Sequence, residues 1–233
     1  LLMLDAGPDD APFVDYEGAI AAMPATPIAD ESLGGAMLYS SGTTGRPKGV
    51  LRPLPEAAPE ELTPLFRALH TMWHHRPGMV YLSPAPLYHS APQAAVNLTL
   101  RSGGTAVIME RFDPEQFLAL VERHRVSHSQ LVPTMFSRML KLPAAVRTRY
   151  QIASLECAVH AAAPCPVPVK EQMIAWWGEV LWEYYAGTEG MGMTLCNSAQ
   201  WLTHKGTVGS SVVGKARICD ELGLELPVGE VGV

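Results

Sequence analysis

The chain has 233 residues, of which 48% are hydrophobic and 17% charged, with a formal net charge of −6. That balance describes a folded chain with a substantial core and excludes an extended disordered one. With no basic cluster nucleic acid is not an expected partner, and no stretch approaches the ~18 uninterrupted apolar residues of a membrane span.

The start, Leu1-Leu2-Met3-Leu4-Asp5, has neither an initiator Met nor a basic leader region. It reads as a cut end inside a longer protein rather than a signal peptide. Cys157, Cys165, Cys196 and Cys219 fit no zinc or redox spacing and are too sparse for a disulfide scaffold. Reduced thiols and a cytoplasmic location are expected. His124 and His128 stand four apart, but the alternation through residues 126–132 is that of a strand, which takes them off a shared helical face.

In chain order, residues 5–32 form an irregular lead-in with one short helix near residues 16–23. A short apolar run, Gly35-Ala36-Met37-Leu38-Tyr39, reads as a buried strand. It leads into Ser40-Ser41-Gly42-Thr43-Thr44-Gly45-Arg46-Pro47-Lys48-Gly49. Gly42 and Gly45 can take positive φ at little steric cost, so successive N–H groups can turn toward one spot, a nest that binds anions and phosphate above all. Lys48 adds a formal charge. This is not the common nucleotide loop, because Lys48 follows proline and is followed by Gly49 where a magnesium-holding hydroxyl should stand.

Pro59-Glu60-Glu61 then opens a helix toward His75, with Leu62, Leu65, Phe66 and Leu69 on its core face. Residues 79–83 form a strand ending in a proline-stiffened loop that presents His89. A helix runs to Leu100, a strand over 105–109, and a helix capped by Asp113 with Pro114 in its first turn and Gln116 as a capping partner. Strands follow at 126–132, 155–159 and 180–185, with helices from Pro133 through Leu142 and from Val167 to Trp177. Beyond Trp201 glycines punctuate short β-like runs, with a hairpin turn at Asp220-Glu221-Leu222-Gly223.

Such alternation implies an α/β layered fold of mostly parallel strands flanked by helices, with a β-rich C-terminal stretch. We expect an α/β core over residues 1–200 and the start of a β-rich subdomain over 201–233. Ligands in such sheets gather at the carboxyl ends of strands. The loops at 40–49, 84–90, 160–165 and 186–192 each follow a strand and are expected to converge.

Taken together, these loops resemble those of the adenylate-forming enzymes: acyl-CoA synthetases, luciferases and peptide-synthetase adenylation domains. Residues 40–49 match that family's phosphate loop at nearly every position. Tyr185-Ala186-Gly187-Thr188-Glu189 is similar to its Y-G-x-T-E, with alanine for glycine, and Ala161-Ala162-Ala163-Pro164 to its adenine-binding G-A-A-P, again with alanine for glycine. Pro86-Leu87-Tyr88-His89 resembles P-x-F-H, and the 220–232 segment resembles the run before the family's ribose-binding aspartate. The resemblance spans about residues 34–233 and implies the central part of the family's large domain. The ribose-binding aspartate, the hinge and the small C-terminal domain have no counterpart, so the isolated chain is expected not to complete catalysis.

The resemblance implies ATP, Mg2+ and coenzyme A as cofactors and a small carboxylic acid as substrate. Ser40, Ser41, Gly42, Thr43, Thr44, Gly45 and Lys48 would hold the β- and γ-phosphates. Thr188 would contact the α-phosphate and Glu189 would bind the metal. Ala161, Ala162 and Ala163 with Tyr184 and Tyr185 would surround adenine, and His89 would orient the acyl carboxylate or gate its tunnel. The acyl pocket is expected among His89, the helix after it, residues 129–135 and the loop after Glu189, where small residues and Met135, Met191 and Met193 favour a hydrophobic, fatty or aryl acid. Residues 160–166 with 183–185 most resemble bacterial fatty-acid–CoA ligases, which implies an AMP-forming acid–CoA ligase acting on a fatty acid. Two rival readings are an adenylating enzyme with a non-CoA acceptor and a nucleotide-binding module without turnover.

Overall fold

Pro64 decides where the first long helix begins. In the computed structural model, which describes residues 2–3, 5–40, 46, 48–51 and 53–232, that helix (α2) spans Pro64–Met72. Thr63 caps it, its Oγ1 accepting from the Phe66 N–H at 3.5 Å. The expected start at Pro59 is corrected: a helix running through residue 64 would lack one backbone donor and clash at the proline ring. Proline also drives its predecessor to extended backbone, and Thr63 has ψ 155°. Residues 58–61 form a turn instead, closed by the Glu61 N–H on the Ala58 carbonyl at 3.0 Å. Of the four residues expected on the core face, only Leu69 is buried.

The chain divides into two units, Leu1–Gly35 with Pro53–Glu61, and Ala36–Arg52 with Leu62–Val233. In the first, β1 (Leu2–Met3) pairs in parallel with β2 (Val14–Asp15), and α1 (Tyr16–Ala21) follows. Asp15 caps α1, accepting from the Gly18 N–H at 2.7 Å. The two segments of this unit meet where the Leu33 N–H bonds the Ala57 carbonyl.

In the second unit β3 (Leu38–Ser40) and β4 (Lys48–Val50) form an antiparallel two-stranded sheet. The expectation of a buried strand is corrected: Met37 and Tyr39 are exposed, because a lone two-stranded ribbon has no second layer over its faces.

The main sheet has seven strands. They are β5 (Val80–Ser83), β6 (Thr105–Ile108), β7 (His128–Leu131), β8 (Cys157–His160), β9 (Leu181–Ala186), β10 (Met193–Asn197) and β11 (Ser210–Val213). Their spatial order is β11-β10-β9-β8-β7-β5-β6. The five strands from β9 to β6 are parallel; β10 and β11 add antiparallel at one edge. Helices α3 (Ser90–Arg101), α4 (Pro114–His124), α5 (Pro133–Leu140), α6 (Ala144–Arg147), α7 (Val167–Trp177) and α8 (Ser198–Thr203) make the connections. The Asp113 carboxylate caps α4 as expected, accepting from the Gln116 N–H at 2.8 Å.

Alternation along β8 shows why both faces are covered. Ala158 joins the larger core with Phe117, Leu118 and Val121 of α4, Phe136 and Met139 of α5, and Met173 and Trp177 of α7. Cys157 and Val159 point the other way, into a smaller core with Leu69, Trp73, Met193 and Leu195. A parallel sheet buried on both faces is the expected consequence of crossover helices. Among the described residues no helix is long and apolar enough to cross a membrane.

Candidate functional site

The parallel strands β5, β7, β8 and β9 present their carboxyl ends along one sheet edge, so the segments after them emerge together. The neighbouring ends of β8 and β9 carry the two motifs expected around a nucleotide. After β8 come Ala161, buried, then Ala162 and Ala163, exposed. Ala162 has φ 74°, a left-handed backbone that an L side chain rarely adopts.

After β9 the chain turns tightly. The Gly190 N–H bonds the Gly187 carbonyl at 3.0 Å, lifting Thr188 and Glu189 to the tip. A β-carbon at Gly187 would lie 3.0 Å from Glu189 Oε2, so the absence of a side chain there lets the carboxylate fold back over the turn. Thr188 is half-buried and Glu189 exposed. The turn is a hairpin return rather than a crossover, because Ala186 pairs with Met193 across the antiparallel β9–β10 ladder.

Tyr184 and Tyr185 leave β9 on opposite faces, as successive strand residues must. Tyr185 is 67% exposed at the strand end. Tyr184 turns into the smaller core, where its ring lies 6.2 Å from that of Trp73 and its hydroxyl accepts from Gln130 Nε2 at 2.7 Å. Burial raises its phenol pKa above the ordinary value.

His89 stands at the same sheet edge after β5, two strands removed from β8. It is the N-cap residue of α3, exposed, with its ring 4.5 Å from that of Tyr88. Lys48 begins β4, opposite Ser40 in the hairpin ladder, and is exposed. Gly49 lets the hairpin close, since a β-carbon there would meet Met37 Cε at 2.7 Å and Tyr39 Cε1 at 3.3 Å. Ser41, Gly42, Thr43, Thr44 and Gly45 lie outside the described residues. The structure thus lets the segment with Ala161, Ala162 and Ala163 and the segment with Tyr185, Thr188 and Glu189 leave neighbouring strands, and sets His89 on the same edge. Lys48 sits on a separate two-stranded sheet.

Sequence reasoning missed a sealed polar cluster beneath these loops. Lys170 Nζ of α7 lies 2.5 Å from Glu183 Oε2 of β9, with Lys170 fully buried and Glu183 5% exposed. His160 pairs with Glu183 in the β8–β9 ladder, its Nε2 3.7 Å from the same oxygen. That spacing would suit an imidazolium, but burial and, second, the Lys170 ammonium hold the ring neutral, with its pKa pushed down to about 3. Among the described residues neither ring nitrogen has a hydrogen-bond partner. The signal was present: Lys170 occupies the slot of an otherwise apolar stripe with Ile174 and Trp177, and Glu183 alternates with Leu181.

Burial pushes the Cys165 thiol up to about 11, away from the thiolate that a cysteine nucleophile needs. Two residues expected in an acyl pocket are core instead: Met135 packs in the larger cluster and Met193 in the smaller. Met191 is 88% exposed.

A sequence profile described as AMP-binding enzyme matches residues 6–233. The chain belongs to that family. Among curated AMP-binding relatives, it is 28% identical over 202 residues to the medium/long-chain-fatty-acid–CoA ligase FadD8 of Mycobacterium tuberculosis, covering 84% of this chain and 34% of that one. It is 34% identical over 158 residues to the 4-chlorobenzoate–CoA ligase of a Pseudomonas species, covering 67% of this chain and 29% of that one. The crystal structure of ATP-bound MatB from Rhodopseudomonas palustris superposes with a TM-score of 0.67 at 29% identity, covering 84% of this chain and 38% of that one. The chain therefore spans about a third of the length of these relatives.

The metal expected at Glu189 can be tested against the donors present. Among the described residues no group of three or more His, Cys, Asp and Glu could hold an ion. One exposed carboxylate at the tip of the loop after β9 fits magnesium, which takes one or two carboxylates with substrate phosphates and water rather than an all-protein cage.

Proposed function

We propose that this chain is the nucleotide-binding part of an AMP-forming acid–CoA ligase that activates a hydrophobic carboxylic acid, fatty or aryl. The observation that supports the reading is the adjacency of the β8 and β9 ends, from which the segments carrying Ala161, Ala162 and Ala163 and Tyr185, Thr188 and Glu189 emerge on neighbouring strands.

A carboxylate is a poor acyl donor. Its oxygen attacks the α-phosphorus of ATP, pyrophosphate leaves, and the acyl-adenylate forms. The CoA thiolate then displaces AMP at the acyl carbon. Both partners of the first step are anionic, so the protein's contribution is positioning and charge stabilisation.

In this reading Lys48, with Ser40, Ser41, Gly42, Thr43, Thr44 and Gly45, holds the β- and γ-phosphates and steadies the departing pyrophosphate. The Thr188 hydroxyl holds the α-phosphate, and the half-turn at Gly187 aims it. The Tyr185 ring, exposed and on the open face of β9, covers one side of adenine while Ala162 and Ala163 line the other. Tyr184 supports that wall from below through Gln130. His89 orients the acid at the α3 N-terminus. Glu189 would hold magnesium, which supplies charge neutralisation on the triphosphate when bound.

The acid class rests on two supports. Apart from Arg101 in the last turn of α3, far from the His89 end, the residues proposed around the acid carry no Lys or Arg that could hold a second carboxylate, and two of the relatives are a fatty-acid–CoA ligase and a chlorobenzoate–CoA ligase.

The experiment is carboxylate-dependent ATP–pyrophosphate exchange by the protein expressed from its complete reading frame, across fatty, aryl, dicarboxylic and α-amino acids. We expect exchange with fatty or aryl acids, and Lys48→Ala to lower it about 100-fold without moving the melting temperature, since Lys48 is exposed. Exchange confined to α-amino acids would overturn the acid class, and no exchange with any acid would overturn the activity.

A further inference from the structure

We propose that the buried Lys170–Glu183 pair, with His160 across the ladder, is a positioning device for the nucleotide base. It fixes the end of β9 against α7, directly beside the His160 end of β8, and so sets the gap between the Ala162 backbone and the Tyr185 ring. The inference rests on the adenine site of the preceding reading and goes beyond it by assigning residues that touch no nucleotide.

Three observations carry it. First, position: His160 immediately precedes Ala161, and Glu183 stands two residues before Tyr185 on the same face of β9. His160 and Glu183 are direct neighbours in the parallel ladder, so whatever moves one strand end relative to the other passes through them.

Second, direction. Lys170 reaches from α7 to Glu183 Oε2 at 2.5 Å, and its ammonium lies 5.0 Å from the centroid of the Trp201 ring of α8. One side chain therefore ties a helix on the larger core, a central strand and the helix after β10. A hydrogen-bonded charge pair fixes distance and angle in a way that apolar packing does not. Buried pairs add little net stability, and their better-attested use is to specify one arrangement.

Third, the arrangement is unsymmetrical. His160 Nε2 stands 3.7 Å from the oxygen that Lys170 holds, and among the described residues both imidazole nitrogens lack hydrogen-bond partners although the ring is fully buried. The ring is held by contact, its centroid 5.3 Å from that of Phe136. Lys170 thus keeps the Glu183 carboxylate from turning toward the imidazole, and the strand ends stay in a single setting.

The test compares the wild type with the apolar double variant Lys170→Met/Glu183→Leu and with Lys170→Arg and Glu183→Gln, all in the complete reading frame. Pyrophosphate exchange with decanoate and benzoate as probes gives the KM for ATP, the preference for ATP over GTP, the KM for the acid and kcat. We expect the folded double variant to raise the KM for ATP about 10-fold and to lose a similar factor of base preference. Its acid KM and its kcat at saturating ATP stay within about twofold of wild type. Lys170→Arg recovers most of the base preference.

A folded double variant with unchanged ATP KM and base preference overturns the inference, as does a uniform fall of every parameter. Should the double variant not fold, Glu183→Gln is read by the same split, with AMP binding by calorimetry per folded protein, and unaltered AMP affinity overturns the inference. A wild type that neither exchanges pyrophosphate nor releases heat with ATP brings down the adenine reading itself; a competent wild type with an indifferent variant brings down only the positioning role.

Discussion

Lys170 donates to Glu183 across the β9–α7 interface at 2.5 Å, with neither side chain open to water. Removing one member leaves an uncompensated charge in the core, which costs about 3–5 kcal/mol, whereas replacing both with apolar residues is often close to neutral. Lys170→Met alone is therefore expected to lower the urea midpoint far more than Lys170→Met/Glu183→Leu. Equal losses in the two would show that the ammonium contributes only packing volume.

Ala162 holds φ 74° at an exposed position. The left-handed backbone costs an L residue about 1–2 kcal/mol, while glycine adds about 0.5–1 kcal/mol of unfolded-chain entropy. Relief of strain is the larger effect. Ala162→Gly should stabilise the protein by about 0.5–1 kcal/mol, and Ala162→Val should destabilise it, both by chemical denaturation.

Gly187→Ala tests the turn that carries the proposed metal ligand. The new methyl would lie 3.0 Å from Glu189 Oε2, the free end of an exposed side chain, so the carboxylate moves and the fold does not. The expected result is an unchanged melting temperature with about a 10-fold higher magnesium requirement in pyrophosphate exchange. An unchanged requirement would separate Glu189 from the metal.

Acid should weaken the fold well before carboxylates titrate. Burial, with His128 and His70 nearby, pushes the His75 pKa down to about 4, and burial lowers that of His128 and brings His160 to about 3. All three bind protons more readily in the unfolded chain, where the pKa is about 6.5. The unfolded state therefore carries more protons below that value, and stability rises with pH. Their contribution is complete above about pH 6.5 and is lost as pH falls toward 4. Urea midpoints measured between those limits should slope upward with pH, and His75→Gln should flatten the slope.

Much of the fold was legible because its signals are local. The α4 start follows from Asp113-Pro114, and α7 runs from Val167 to Trp177 as expected because Gly178 stops it. The start of α2 was misread by weighting the acidic pair at Glu60 over the stronger Thr63-Pro64 signal. The apolar run at 35–39 predicts burial, but the sequence does not announce that among the described residues β3 pairs with β4 alone. At the proposed site, Thr188, Glu189 and the three alanines are marked in the sequence by their resemblance to family motifs. Ala162's backbone angle is not, since alanine gives no hint of positive φ. Lys170 and Glu183 escaped because charged residues are surface residues by default, and only their place in apolar periodicities marks them otherwise. The expected convergence of the loop at 40–49 concerns residues largely outside those described.

The return from β9 to β10 has one further consequence. Because Ala186 and Met193 are ladder partners, the six residues between them form a loop of fixed length, and β10 alternates Met193 and Leu195 toward one face. Losing a single residue from that bend would swap inside for outside along the whole of β10. The Thr188–Glu189 tip can therefore change its side chains freely, while its span is dictated by the β9–β10 ladder beneath it.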